Sequence, residues 1–533
     1  MSKRFAATAA LAALVAAGLP ASAHGAGFRY GVTAGEVRAT NAILWTRANR
    51  PGKVSLHIAP NRRLKGRTVR TFRLRAKRRD DNTVQKKVHR LKPGRRYWFR
   101  FTRGKGGRQK STRGTFTTAP RSNANVNVEF AWSGDTDAQP LTGRRPFWSP
   151  GFPVITRMMR ERNQLNFHLG DTIYSDTEVQ NADGTPVVPD AVSVKEKWAK
   201  YRQNLGQRAL QRLRGSAGFY SQWDDHEFLN DFAPPEMYTT RDGGTTLSGT
   251  ALYARGVRAF RDYSPVAYTP RNGLYRHFRW GRNVEFFILD ERSFRSAKAS
   301  DGGTCDNPQT GEPDLAPTAP QETRNLFAVL VPSLSSPVSQ ECKDKINDPN
   351  RSILGPLQRQ RFLRDISRSK ATWKIVINEM PIQQYYVLPY DRWEGYEADR
   401  QRVLSALSGK VDNVIFLTTD VHATLVNDAR FQTLEPGGMR NSGILEVTVG
   451  PVSTATFDTE IDRVTGEGNG ATVDSTFFEG FLQMQCSEID TLSYGQVEVT
   501  RDKLTVTPKD QNGNPLVNKS ANEPCGPFEL EAQ

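Results

Sequence analysis

From residue 125 onward short apolar-rich stretches stand at 126–132, 165–169, 218–223, 284–289, 373–377 and 414–417, each ended by a polar loop that carries acids. Stretches of this length read as strands. Between them, positions 152–162, 194–213 and 356–369 follow helical spacing. The alternation predicts an α/β sandwich whose strand ends carry the chemistry, and β-rich runs at 444–449 and 494–508 predict a closing β region. Before Pro120 the pattern changes to short β-rich or alternating runs at 42–46, 54–59, 69–74, 97–102 and 114–118, separated by Gly, Pro and Asn. That spacing predicts a small all-β domain over 27–119. The turn-rich stretch from Pro120 to Asn125 then links it to a catalytic domain over 125–533. A Pro/Ser-rich segment near 300–345 reads as an inserted loop.

Composition narrows this picture. A chain of 533 residues has room for two or three domains. A hydrophobic fraction of 37% and a mean hydropathy of -0.59 argue against an integral membrane protein. The N-terminus begins Met1-Ser2-Lys3-Arg4-Phe5, runs through an Ala/Leu-rich stretch, and reaches Ala21-Ser22-Ala23. This pattern predicts a signal peptide over 1–23, cleaved near Ala23, and a secreted or wall-associated protein. Lys3-Arg4-Phe5 leaves the general and twin-arginine export routes both open. Four cysteines fit an oxidising compartment, and pairing of Cys305 with Cys342 and of Cys486 with Cys525 is the simplest of the three connectivities.

The formal charge of +18 is concentrated at one end. Residues 27–119 hold 27 Lys and Arg against three acids, Glu36, Asp80 and Asp81, while the remainder of the chain is slightly acidic. Two readings stand: a solvated basic surface, or attachment to an anionic polymer such as wall teichoic acid or lipid headgroups. The sequence contains no recognised nucleic-acid motif, so sequence-specific nucleic-acid binding is not expected. A monomer is expected.

Five strand ends carry acids, His or Tyr in metal-ligand patterns: Ser133-Gly134-Asp135-Thr136-Asp137, Gly170-Asp171-Thr172-Ile173-Tyr174, Asp224-Asp225-His226-Glu227, Asn378-Glu379-Met380-Pro381 and Thr419-Asp420-Val421-His422-Ala423. Two hard cations held side by side can clamp a phosphoryl group and acidify a water for in-line attack. Carboxylates, imidazoles and a phenolate are suitable ligands.

In this order the motifs resemble the calcineurin-like metallophosphoesterase superfamily. The pattern is most similar to the PhoD-like alkaline phosphatases and phosphodiesterases, with a purple-acid-phosphatase-like GDxxY segment. Gly31 to Gly35, Leu44-Trp45-Thr46-Arg47, Trp223 to Glu227 with Asn230-Asp231, Leu289-Asp290 with Arg292, and Trp393 to Tyr396 extend the resemblance. It implies a fibronectin-III/Ig-like β-sandwich followed by a four-layer α/β/β/α catalytic domain. Leu91 to Tyr97 is itself similar to the corner before a late strand of such sandwiches.

Carried over by position, Asp135, Asp137, Tyr174 and His422 would hold a first metal, and Asp171 would bridge to a second held by Asp225, Glu379 and Asp420. The Tyr174 spacing implies Fe³⁺ at the first site. The all-carboxylate second set implies Ca²⁺, or Mg²⁺ or Mn²⁺. The cysteine that the PhoD first motif usually carries has no counterpart here. His226 and the bridging Asp171 fall on catalytic positions. Asn230, Asp290 and Arg292 are candidate substrate contacts, with loop support for Asn230 and a buried ion pair for the other two as alternatives. Tyr385, Tyr386, Trp393 and Tyr396 either rim a pocket or pack a core.

The resemblance implies hydrolysis of phosphomonoesters or phosphodiesters by a metal-bound hydroxide at a dinuclear site. A phospholipase-D-like phosphodiesterase on lipid or wall-polymer headgroups is the alternative it also implies. The basic segment motivates a third reading, a polyanion-binding surface protein whose metal site is structural.

Overall fold

The computed structural model describes residues 27–140, 149–181 and 185–533; the expected signal peptide lies outside the described residues. The chain has a mixed α/β fold with several sheets. Among the described residues, no helix is long and apolar enough to cross a membrane.

A nine-stranded sheet has at its centre the parallel strands Val128–Ser133, Leu165–Leu169 and Gly218–Gln222. A seven-stranded sheet contains the parallel set Val284–Ile288, Trp373–Ile377, Val414–Thr418 and Leu445–Thr448. The two sheets face each other through alternate residues. Phe130, Phe167, Leu169, Phe286, Ile375 and Leu417 share one buried cluster, and the Phe286 ring lies 5.1 Å from Phe130 and 5.0 Å from Phe167. The intervening positions face helices on the outer sides: Phe219 packs with Ile155, Met158 and Leu213, and Val376 and Phe416 pack with Phe362 and Leu404. Burial of nearly every position on both faces explains why these strands read as apolar-rich runs broken by few polar residues.

The all-β stretch is not separate from this architecture. Val32–Gly35, Ala42–Arg47 and Thr83–Val88 extend the nine-stranded sheet, with Ala34 in register with Gly218. Gly52–Ala59, Arg70–Ala76, Arg96–Arg103, Gln109–Lys110 and Gly114–Thr117 form a second sheet, whose Leu56, Phe99 and Phe116 share the main core. The closing β region likewise joins the larger sheets: Ser493–Val499 and Lys503–Asp510 form a hairpin against Val128–Ser133.

Several expectations are corrected. The helix expected over 194–213 is two, Val194–Asn204 and Arg208–Ser216, broken around Gly206, a poor helix former. Helices Gly249–Tyr263, Glu397–Leu407 and Phe457–Thr465 were not expected. The insertion contains helices Gln321–Phe327 and Gln340–Asn347 and is stapled by Cys305–Cys342; the other disulfide is Cys486–Cys525.

The electrostatic seam is held by inverted pairs. Each acid of the basic segment bonds to an arginine of the acidic remainder: Glu36 to Arg276 at 2.6 Å, Asp80 to Arg258 at 2.7 Å, and Asp81 to Arg202 at 2.5 Å. Asp81 also pairs with Arg47 at 2.8 Å and accepts from the Tyr263 hydroxyl. Burial raises the Asp81 pKa, but these donors outweigh it and hold the carboxyl below the ordinary range. Its contribution is therefore present above about pH 4 and lost as pH falls. Asp81→Asn should lower unfolding stability by about 2 kcal/mol at pH 7, and by clearly less at pH 3. Denaturant titrations at both values check this, and equal losses at the two would show that the carboxylate charge is not what stabilises the seam.

Candidate metal centre

The five motif loops leave the C-terminal ends of parallel strands drawn from both sheets, where loops converge in open α/β architectures. Their backbones are forced into unusual shapes there. Asp135, Asp171, Asp420 and His422 all have positive φ, between 49° and 78°, a conformation that concentrates at functional sites. Gly170 is required by close approach: a Cβ added there would stand 2.5 Å from the Cβ of Asp224.

Buried side chains lock the loops together. The Asn204 amide donates to the carbonyls of Thr136 at 2.7 Å and Thr172 at 2.8 Å, and accepts from the Ala138 N–H at 3.0 Å. Glu227 accepts from the backbone of Thr172 at 2.7 Å and of Asp224 at 2.8 Å. Lys197 donates to the Ser175 hydroxyl at 2.7 Å and the Phe228 carbonyl at 2.8 Å, and burial pushes its pKa down to about 7.

Carboxylates and imidazoles gather in three adjoining clusters, whose ligand atoms lie within 4.8 Å of one another: Asp135, Asp171 and His422; Asp171, Asp225 and His226; and Asp225, Asp231 and Asp391. Asp171 belongs to the first two and Asp225 to the last two. The Tyr174 hydroxyl stands 2.9 Å from Nε2 of His422, and its ring stacks on His226 with centroids 4.0 Å apart. Nδ1 of His226 lies 2.7 Å from Oδ1 of Asp176, whose other oxygen accepts from the Asn230 N–H at 2.6 Å. Arg292, fully buried, pairs with Asp224 and with Asp391 at 2.7 Å, and reaches Asp225 at 3.7 Å and Asp420 at 3.9 Å.

The electrostatics suit cations. Burial, followed by neighbouring carboxylates, pushes Asp135, Asp171 and Asp420 well above the ordinary carboxylate range. Burial opposes charge on His226, yet Asp176, Asp171 and Asp225 outweigh it and raise its pKa. The Tyr174 phenol is pushed up by burial and surrounding acids, and burial lowers His422 to about 4. Oδ2 of Asp135 is buried without a hydrogen-bond partner, so the donor set has an unfilled acceptor where a cation would bind.

Not every expected residue is brought there. Asp137 accepts from Thr177, in the loop after Leu165–Leu169, at 2.5 Å and from the Gln139 N–H at 2.8 Å, and so is engaged by these donors. Glu379 accepts from the Gln222 amide at 2.6 Å and from the Glu291 N–H at 3.1 Å and belongs to none of the three clusters. Asp290 is fully buried, accepting from Trp223, Leu274 and Ser293 rather than facing a ligand. Arg292 is the buried ion pair, made with Asp224 and Asp391 instead of Asp290. Asn230 presents an exposed side chain beside the site. Tyr385, Tyr386, Trp393 and Tyr396 are buried, and so belong to the core. Asp176, Asp231, Asp391 and Asn204 were missed. Asp231 follows Asn230 directly and Asp176 stands five residues after Asp171, which is the only sequence signal they offer.

Comparison with known proteins agrees with this geometry. Residues 144–507 match the family model of the PhoD-like phosphatase, and residues 13–120 match that of the PhoD-like phosphatase N-terminal domain. The chain is similar to alkaline phosphatase D of Bacillus subtilis strain 168, 24% identical over an alignment of 432 residues, with 74% of this chain and 64% of that protein covered. The match thus spans just under two thirds of that relative's length. In fold the chain is similar to a solved structure of PhoD, with a TM-score of 0.68 and 22% identity, covering 90% of this chain and 86% of that one. It is also similar to purple acid phosphatase PPD1 from yellow lupin seeds, with a TM-score of 0.51 and 12% identity, covering 92% and 74%.

Proposed function

The chain belongs to the PhoD-like phosphatase family, and from that premise we propose that it is a metal-dependent phosphoester hydrolase acting on phosphomonoesters, phosphodiesters or both. The observation that carries this reading is the place of Asp171, gathered with Asp135 and His422 on one side and with Asp225 on the other, the arrangement expected of a carboxylate shared by two cations. Bound there, a cation pair would supply Lewis acidity and an acidified water for displacement at phosphorus.

The chain's own residues hold and tune the site. Asp135, Asp171, Tyr174 and His422 make up the first position, and the phenolate makes Fe³⁺ the preferred ion. Asp225, with Asp420, Asp231 and Asp391 around it, offers only oxygen ligands, which favours Ca²⁺, Mg²⁺ or Mn²⁺. Arg292 holds the surrounding carboxylates in place. Because Asp176 engages Nδ1 of His226, Nε2 is the atom left to act, as a cation beside the transferring group or as an acid toward the leaving oxygen. A structural metal site would have no use for that buried His–Asp pair, which speaks against the non-enzymatic reading. Residues 27–119, whose Val32–Gly35, Ala42–Arg47 and Thr83–Val88 extend the nine-stranded sheet, are read as a β-sandwich that shares this sheet with the four-layer catalytic domain. Two disulfides support an oxidising, secreted setting.

One observation favours the alternative, a phosphodiesterase on lipid or wall-polymer headgroups. A cavity of about 90 Å³, lined by Phe327, Leu334, Phe457, Ile461, Phe477 and Phe478, adjoins the site. Phe457 donates its N–H to the His422 carbonyl at 3.0 Å, so an apolar ester arm could lie there.

Purified protein should hydrolyse an aryl phosphate or its diester, lose that activity to a chelator and regain it with added cations. His226→Ala should lower turnover by about 10²- to 10⁴-fold with metal content nearly unchanged. Wild-type turnover would remove His226 from the chemistry, and loss of a cation would make it a ligand instead. Tyr174→Phe should abolish the visible charge-transfer band of a ferric phenolate. A colourless, iron-free wild-type protein would sink the ferric assignment and leave the two-cation reading intact.

A further inference from the structure

The outer face of the five-stranded sheet carries Lys53, Arg73, Arg75, Arg96, Arg100 and Lys110. Strand pairing fixes this set. Lys53 stands opposite Arg75, Ser55 opposite both Arg73 and Thr102, and His57 opposite both Thr71 and Arg100. Thr102 pairs with Lys110, and Arg96 with Thr117. Side chains at i and i+2 share a face, so these residues lie together while Val54, Leu56, Phe99 and Phe101 point into the core.

No acid interrupts the array. The three acids of residues 27–119 are all engaged with arginines at the seam, Glu36 with Arg276, Asp80 with Arg258 and Asp81 with Arg47 and Arg202. Like charges directly opposite one another, as Lys53 and Arg75 are, weaken a sheet. The strain is visible elsewhere on the face: burial and then Arg113 lower the Arg100 pKa, and Nε of Arg100 is buried without a hydrogen-bond partner. Such a surface is stabilised by an external anion.

We infer that this sheet face is a docking surface for a flexible chain of phosphodiester repeats. Arg73 and Arg75 stand about 6.7 Å apart along one strand, Lys53 faces Arg75 about 4.8 Å away, and Arg96 and Arg100 stand about 13 Å apart along a third strand, a spread of charge suited to a repeating anion rather than to a single phosphate. A lipid surface fits less well, because every exposed large apolar side chain among the described residues lies outside 27–119, leaving no anchor to insert. Nucleic acid fits less well too. Trp98 is the aromatic residue on this face and is partly buried, so a platform for successive bases is lacking. The inference does not depend on hydrolysis: it holds whether the polymer is the substrate or only the anchorage.

The test is retention of the mature protein on immobilised poly(glycerol phosphate) as a function of salt. Six contacts predict a log–log slope of about −4, and so a roughly 300-fold weakening between 50 and 200 mM salt. Arg73→Ala with Arg75→Ala should flatten the slope to about −3, while turnover of a small aryl phosphate and the thermal midpoint stay unchanged. Arg212→Ala with Arg501→Ala removes the same charge from exposed positions elsewhere and should leave the slope near that of the parent. Equal weakening by both double variants would reduce the effect to net charge and overturn the site. Tighter binding to duplex DNA or to phosphatidylglycerol vesicles than to the polymer would overturn the choice of partner.

Discussion

Everything at the centre of this molecule follows from the decision to bury carboxylates beside one another. Two like charges about 4 Å apart repel by on the order of 4 kcal/mol even at an effective dielectric constant near 20. Asp135 and Asp171 are buried and Asp420 is half-buried, with Asp225 between the clusters. Such an arrangement persists only if something overdetermines it. Arg292 supplies one buried counter-charge and His226, held by Asp176, supplies another. The remaining deficit is what a pair of cations would fill, and it gives the unpartnered oxygen of Asp135 its reason.

The fold provides the constraint that holds this cluster. Parallel strands from two facing sheets end at one place, and the phenylalanine-rich layer between the sheets keeps those ends in register. Positive φ at four site residues is the local expense, met around Asp135 and Asp171 by hydrogen bonds that Asn204 and Lys197 donate and Glu227 accepts. The same economy governs the seam, where the few acids of a strongly basic segment are all drawn inward. That leaves the outer sheet uniformly positive.

Much of this was legible from residue pattern. Strands buried on both faces announce themselves as apolar runs, and the five motif loops identify Asp135, Asp171, Tyr174, Asp225, His226, Asp420 and His422, all of which the fold brings together. What pattern does not encode is the direction of a side chain beyond its own loop. Asp137 and Glu379 stand at strand ends as a ligand would, yet Thr177 and Gln222 claim their oxygens. Asp391 reaches the site only because a separate loop folds over it, Asp231 because its loop turns back so that its N–H donates to Asp225, and Asn204 acts from a helix whose break at Gly206 was not anticipated. The join between the β segment and the nine-stranded sheet was hidden too, since the register of Ala34 with Gly218 depends on two distant strands meeting.

The central claim is that Asp171 is shared by two cations. Anomalous diffraction from metal-loaded crystals, collected on either side of the iron edge and at a wavelength that reveals calcium or manganese, tests it directly. The account predicts two peaks about 3.5–4 Å apart, both within bonding distance of the Asp171 carboxylate, with the iron signal beside Tyr174 and His422. A single peak, or two that do not share Asp171, would contradict it.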